Sequence, residues 1–573
     1  MTRRSLLALV LIVAGGVLPR PTATARAAQP EPVRGDRWVV ATPHPLATAA
    51  GEAVLAAGGN AVDAATAMSF AVAVCEPWAS GLGGGAFMVV HQEGVTTTWD
   101  MREMAPAAAS RDMFVTDGKV EKGASTDSGR ASGIPGLVRG LVKVHARYGK
   151  LPLAVVMQPA IAYARDGIAV SPRLELTSAA VAGRMNDAAR AIFLNAEGKP
   201  WRRGEVLRQA DLARTLERIA ATDGEDFYTG ETAQELVRAV RAEGGLWTMA
   251  DLAGYEVRER PPVVGSYRGY AVHSMGPPSS GGLLLVQMLR VLEPSDLPAL
   301  GFGSAAYVHL LAETMKRAFA MRATALGDPD FAPVDAARFI GDATVARLRK
   351  EVAAAKKATP ASKLGQVTVK PSESTHTSHL SVLLANGDAV SMTQTINLWF
   401  GSGRVAGATG VVLNNEMDDF SAMPGAPNAF GLVGDEGNAI APKKRPLSSM
   451  TPTILVKGDA AVGTFGSPGG SFIITTTLQE ILNVVDFGMD ASEAVGAPRV
   501  HHQWYPDVLM LEPRGLSPDT RALLTARGHT LAGTAGALVE PRTMGNGMVL
   551  WRDASGQLTG AADPRGEGSA AAF

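Results

Sequence analysis

The chain has 573 residues, with 54 Lys and Arg against 55 Asp and Glu for a net charge of −1, and it is 46% apolar and 19% charged. That balance leaves no basic surplus to neutralise phosphates, which excludes nucleic acid as an expected partner; the apolar share is that of a folded globular chain. Cys75 is the only cysteine, so an intrachain disulfide is excluded in any compartment.

Residues 1–27 read as an export signal rather than as part of the fold. Arg3-Arg4 precede an apolar run from Leu6 to Leu18, and Ala25-Arg26-Ala27 supplies a small-x-small cleavage site. The run is too short for a membrane span, and Thr2-Arg3-Arg4-Ser5-Leu6-Leu7 weakly resembles a twin-arginine signal. The mature chain is expected in the periplasm or outside the cell, with no membrane span, because no later apolar run is long enough. Length alone suggests three or four domains, but no linker-like stretch or repeat interrupts the chain, and one large layered unit is the expectation.

Leu46 to Glu76 reads as two helices parted by Gly58-Gly59-Asn60, the second apolar on most faces and therefore buried, with Cys75 as a small core residue. Ser80 to Gly85 is a glycine cluster before a strand, Ala86 to His91. It lacks the Lys-Ser/Thr of a phosphate loop and opens no helix, so close backbone packing or approach to a ligand is the better reading. A strand from Val95 to Asp100 leads into Arg102-Glu103-Met104-Ala105-Pro106. From Gly136 to Tyr255 the pattern is mostly helical scaffold, broken at Gly224 to Gly230. Strands follow around Val263–Tyr270 and Ala271–Met275, ending at the rigid turn Pro277-Pro278-Ser279-Ser280, whose serines lack nucleophile-elbow spacing. Helices are predicted over Ala305–Leu326 and Ala343–Lys357, then a polar loop over Ala358–Pro371.

At Thr377 the polar stretch gives way to two β-rich runs around Ala385-Asn386-Gly387-Asp388. Asn-Gly between apolar runs predicts a hairpin with a type I′ turn, which places Thr377 and Asn397 near one another at one sheet end. By pattern alone Thr377 is an ordinary strand residue. No convincing Ser/Thr-His-Asp set accompanies it. His376 and His379 would point to opposite faces of a strand, and His501 and His502 diverge likewise, so no metal is expected, nor any cofactor. The base left for the Thr377 hydroxyl is its own α-amine, were the chain cut before it, since such an amine titrates near ~8. Gly466 to Ser471 offers unobstructed backbone N–H groups for an oxyanion. Asn414 to Phe420, with Asn397, offers acidic and amide acceptors for an ammonium, and Ser448-Ser449 with Arg102 offers donors for a carboxylate.

Thr377-Ser-His-Leu-Ser-Val, Thr393-Gln-Thr-Ile-Asn, Asn414-Asn-Glu-Met-Asp-Asp-Phe, Lys444-Arg-Pro-Leu-Ser-Ser-Met-Thr-Pro-Thr and Gly466-Ser-Pro-Gly-Gly-Ser occur in that order. The chain thereby resembles the γ-glutamyltranspeptidases (glutathione hydrolases) from about Gly51 to Arg565. The resemblance implies an α/β fold, the four-layer αββα sandwich of N-terminal-nucleophile hydrolases. It implies self-cleavage at His376–Thr377 into a large subunit, 28–376, and a small one, 377–573, sharing one unit. It assigns Thr377 as nucleophile, Thr395 as its hydrogen-bonding helper, and Gly469 and Gly470 as the oxyanion hole. Arg102, Ser448 and Ser449 would take the substrate α-carboxylate; Asn397, Glu416 and Asp419 would take its α-ammonium. Glutathione or another γ-glutamyl compound would be the donor, and water, amino acids or peptides the acceptors. Relatives acting as cephalosporin acylases alter the position of Asp419, which is retained here, so a glutaryl-amide acylase is the runner-up. A non-catalytic periplasmic amino-acid or peptide binding protein, which would stay uncut, is the rival from another class. Pro424 to Asp435 resembles the family's lid loop, but Phe430 replaces its tyrosine, which predicts a lid without a hydroxyl latch and easier to open.

Overall fold

The structure is a computed structural model and describes residues 30–324, 326–365, 377–423, 425–533 and 543–573. Residues 1–29, which contain the expected export signal, and His376 lie outside these. In chain order β1 (Val33–Gly35) and β2 (Trp38–Thr42) precede α1 (Pro45–Ala56) and α2 (Ala61–Cys75). Asn60 caps α2 through a capping box with Asp63, the arrangement in which side chains satisfy the helix's first free N–H groups. Every residue of α2 is buried, Cys75 among them. Next come β3 (Gly85–Gln92), β4 (Val95–Met101), a helical region within 137–253, β5 (Arg258–Arg260), β6 (Val263–Tyr267) and β7 (Tyr270–Ser274). The break expected at Gly224–Gly230 contains a short helix, Glu225–Thr229, bounded by those two glycines.

Helices α3 (Gly281–Leu292) and α4 (Ala305–Arg322) follow, the latter ending four residues before the expected Leu326, and a further helix spans Asp342–Ala354, one residue earlier at its start and three at its end than expected. The hairpin strands are β8 (Ser378–Leu384) and β9 (Ala389–Thr395). Then come β10 (Thr453–Lys457), β11 (Ala460–Gly466), α5 (Phe472–Val485), β12 (Met548–Arg552), β13 (Leu558–Ala562) and β14 (Ser569–Ala572).

These strands form two seven-stranded antiparallel sheets, one in the order β14-β2-β8-β9-β3-β4-β5 and the other β1-β13-β12-β11-β10-β7-β6. Val39, Val89 and Leu383 of the first sheet pack with Ile454, Ala461 and Leu550 of the second in one apolar cluster. The outer face of the first sheet (Leu380, Val382, Met392) packs on α2, and that of the second (Leu455, Phe465) on α3, α4 and α5. The result is the expected four-layer αββα arrangement. Burying both faces explains why β8 and β9 are buried almost throughout.

The hairpin turn differs from type I′. Leu384 N donates to Asp388 O at 2.9 Å and Gly387 N to Leu384 O at 3.1 Å, and only Gly387 takes positive φ, at 93°. This is a three-residue loop with glycine in the left-handed position. The reason lies in Asn386, whose side chain bonds Asp388 twice, through the backbone N–H at 3.1 Å and a carboxylate oxygen at 2.8 Å.

Candidate active site

Thr377 stands immediately before β8 and Thr395 ends β9, and because Ser378 pairs with Gln394 the two threonines face each other at the sheet end. Their hydroxyl oxygens are 3.3 Å apart. Thr395 Oγ1 also accepts the N–H of Asn397 at 2.9 Å. Thr377 has φ 123°, a conformation that a β-branched residue avoids and that stores local strain. The glycine cluster makes this close approach possible: a Cβ at Gly84 would collide with the Thr395 carbonyl oxygen.

A cavity of about 20 Å³ is lined by Thr377, Thr395, Asn397, Arg102, Glu416, Asp419, Phe430, Ser448, Ser449 and Gly470. Of the residues singled out from the sequence, Gly469 alone is not on its wall; it lies next to Gly470 in the turn leading into α5. Both glycines have positive φ (133° and 57°), and neither amide N–H has an acceptor among the described residues. Two free amides at a helix N-terminus form a site for negative charge.

The charged groups meet one another. Arg102 donates through Nη1 to Glu416 Oε1 and through Nη2 to Asp419 Oδ2, the latter at 2.5 Å. It also reaches the carbonyls of Pro446 and Leu447 at 3.2 and 3.3 Å. Burial pulls the Arg102 pKa down, but Glu416, Asp419 and Glu103 together hold it above its ordinary value. Glu103 lies 3.7 Å from Arg102 Nη1. Burial pushes Glu103 up to about 7 against the pull of Arg102, and burial likewise holds Glu416 well above the carboxylate range. One guanidinium faces two buried glutamates and the half-buried Asp419, so burial and mutual repulsion favour the protonated form of the Glu103–Glu416 pair. Asn397 Nδ2 donates to Asn415 O at 2.9 Å, which leaves its Oδ1 to accept.

Ser448 Oγ accepts the N–H of Met450 at 3.1 Å, while Ser449 Oγ accepts from Arg322 at 3.3 Å. Arg322, at the end of α4, was not singled out by sequence: within a helix, nothing local marks which charge is buried in a pocket. Asn428 was missed too, although an Asn in a proline-containing loop signals side-chain-to-backbone bonding. It donates to Asp419 Oδ1 at 2.8 Å and accepts the N–H groups of Phe430 and Leu432 at 3.0 Å each. Ala429 N donates to Asp418 at 2.8 Å. Phe430, 5% exposed, covers the cavity, and the loop is latched by these bonds without a ring hydroxyl.

On its other side Thr377 borders a cavity of about 320 Å³, lined also by Glu76, Trp78, Arg173, Asn546 and Glu567. Glu76 accepts the Ser378 hydroxyl at 2.6 Å, and burial pushes it up to about 7. His379 lies between Thr393 Oγ1 and Ser381 Oγ at 2.8 and 3.1 Å, and burial takes its pKa down to about 3. His501 meets Thr475 and Gln503, whereas His502 meets Asp507. Among the described residues no group of three or more His, Cys, Asp or Glu could hold a metal, and no helix is long and apolar enough to cross a membrane.

The sequence profile of the family described as Gamma-glutamyltranspeptidase matches residues 47–573. The glutathione hydrolase proenzyme of Escherichia coli (strain K12) is 45% identical over 539 residues, 93% of this chain and 91% of that one. An acylase ACY 1 proenzyme of Pseudomonas sp. (strain V22) is 38% identical over 97% of each chain. Among solved structures, cephalosporin acylase from Bacillus halodurans superposes with a TM-score of 0.82 at 28% identity, covering 97% of this chain and 99% of that one.

Proposed function

The chain belongs to the γ-glutamyltranspeptidase family and is a glutathione hydrolase, and we propose that Thr377 is the residue on which it works. The Thr377 hydroxyl first attacks the carbonyl of His376; the N→O shift breaks the peptide C–N bond, which frees the α-amine and leaves an ester on Oγ1, and water then hydrolyses that ester to a carboxylate on His376 and the free Thr377 hydroxyl. The positive φ of Thr377 supports this step, because backbone strain held at a residue is relieved when the chain beside it is cut. Residues 28–376 and 377–573 then remain together as the two subunits of one sandwich.

In the cut enzyme the α-amine takes the proton of Oγ1 as that oxygen attacks the γ-carbonyl of glutathione. Thr395 donates to and orients Oγ1. Negative charge that develops on the carbonyl oxygen is held by the amides of Gly469 and Gly470 at the start of α5. Collapse expels the leaving amine, which receives the proton from the Thr377 ammonium, and leaves a γ-glutamyl ester on Thr377. Water, or the amine of an amino-acid or peptide acceptor, enters from the larger cavity and completes hydrolysis or transfer.

The donor's α-ammonium lies against Asp419, Glu416 and Asn397, and its α-carboxylate against Arg102, Ser448 and Ser449. The observation that carries the reading is that both threonines, the paired charges and Gly470 line one cavity. The leader supports export, so the enzyme works in the periplasm or outside the cell. The test is denaturing electrophoresis of the purified protein, N-terminal sequencing of the smaller band and release of anilide from γ-glutamyl anilide. A single uncut band without activity overturns it. A glutaryl-amide acylase is the second reading, favoured by the acylase relatives and opposed by the bond of Asp419 to Arg102, which sets an anion where an α-ammonium would lie.

A further inference from the structure

Arg102, Arg317, Arg445 and Arg499 are buried arginines that each meet a carboxylate. Arg322 is 5% exposed and, among the described residues, has no ion-pair partner. Its Nε donates to Ser280 Oγ at 3.0 Å and its Nη2 to Ser449 Oγ at 3.3 Å, while Nη1 has no protein acceptor among the described residues. It lines the same cavity as Thr377. Burial lowers its pKa to about 10, opposed by Asp419 and reinforced by Arg102. A buried cation without a counter-ion is costly unless an anion comes to it. Its place at the last residue of α4 offsets part of that cost, since a helix C-terminus favours positive charge.

The two bonds also fix the serine pair. Ser280 Oγ accepts from Arg322 and donates to Ser448 O at 2.7 Å, which braces the turn carrying Ser448 and Ser449. Ser449 Oγ accepts from Arg322, so its own hydrogen remains to be donated elsewhere. Arg102, by contrast, already has two carboxylates.

We propose that Arg322 is a positioning and specificity-determining residue for the donor's α-carboxylate, holding Ser449 as a hydrogen-bond donor and supplying the positive charge that Arg102 shares with Glu416 and Asp419. This rests on the γ-glutamyl reading above, and it names a residue that discriminates donors by their carboxylate rather than by their ammonium.

Three anilides test it: γ-glutamyl, glutaryl (no ammonium) and 4-aminobutanoyl (no carboxylate). R322Q should raise KM for the first two by roughly 10- to 100-fold, the range for a hydrogen bond to a charged group, with kcat changed much less. kcat/KM for the third should stay at the wild-type value. R322K, which keeps the charge without the two-pronged geometry, should fall between, and S280A should raise KM less. Unchanged KM for both carboxylate-bearing donors, or an equal loss on all three, overturns the proposal. If R322Q does not fold, R322K and S280A decide the matter by the same KM criterion. Wild-type protein that releases no anilide from γ-glutamyl anilide sinks the assigned activity rather than the role of Arg322.

Discussion

Arg102 and Asp419, 317 residues apart in sequence, meet at 2.5 Å on the wall of the Thr377 cavity. The cavity they border holds about 20 Å³, room for little more than one water. On the proposed binding mode a zwitterionic donor would part this pair and lift the loop above it, its carboxylate replacing Asp419 at the cationic end and its ammonium replacing Arg102 at the anionic end. Asp419→Asn should leave self-cleavage intact but weaken γ-glutamyl donors by ~2–5 kcal/mol, the usual cost of removing one member of a desolvated charge pair. Glutaryl anilide should lose much less. Equal losses on the two donors would assign Asp419 to structure alone.

Thr377→Ala removes the hydroxyl proposed both to cut the chain and to carry the acyl group. The variant should run as one uncut band without activity, and Thr377→Ser should cut more slowly than wild type. A smaller band starting at residue 377 in the alanine variant would refute the assignment.

The loop over the cavity is held through Asn428, not through an aromatic hydroxyl. Asn428→Ala loses the bond to Asp419 and the two it accepts from the loop's own backbone. At roughly 0.5–1.5 kcal/mol each, that loss should open the loop markedly, with faster limited proteolysis within 425–435 and a higher KM for γ-glutamyl anilide. Phe430→Tyr adds one hydroxyl to a loop already latched. It should slow proteolysis only slightly and reduce activity on glutaryl amides with bulky leaving groups relative to γ-glutamyl anilide. Equal proteolysis rates in wild type and Asn428→Ala would show that the latch lies elsewhere.

Stability should peak between about pH 4.5 and 6.5. Burial raises Glu480 to about 8, Glu76 and Glu103 to about 7 and Asp418 to about 6. Their protonated forms favour the fold, so this contribution is full below the unfolded carboxyl values and is lost as pH rises through 6–8. Burial lowers His44 to about 4 and His379, His501 and His529 to about 3. Their neutral forms favour the fold, so that contribution is full above 6.5 and is lost as pH falls towards 3. Calorimetry of the unliganded protein checks this. A Tm that climbs steadily from pH 6.5 to 8 contradicts it, and Glu480→Gln should flatten the alkaline slope.

Local chemistry in the chain was enough to predict the buried helix α2 and the hairpin that carries Thr377 and Asn397 to one sheet end, whereas the Asn60–Asp63 cap emerged from the structure. Hydrophobic period, caps and turn residues act over a few positions, so they can be read without a fold. The long motifs, with the Arg102–Pro106 stretch and the lid loop, also named ten of the residues lining the Thr377 cavity, because each is fixed in a short stretch with a recognisable order. Tertiary structure alone decided which charges pair. Arg102 reaches Glu416 and Asp419 only when β4 and the 414–420 loop are brought together, and Arg322 meets no carboxylate among the described residues because α4 ends behind Ser449. Burial, and with it the upward pKa shift of Glu103, depends on neighbours hundreds of residues away, to which no local pattern points. Even the turn at Gly387 was set by a side chain, Asn386 bonding Asp388, in competition with the backbone geometry that Asn-Gly usually signals.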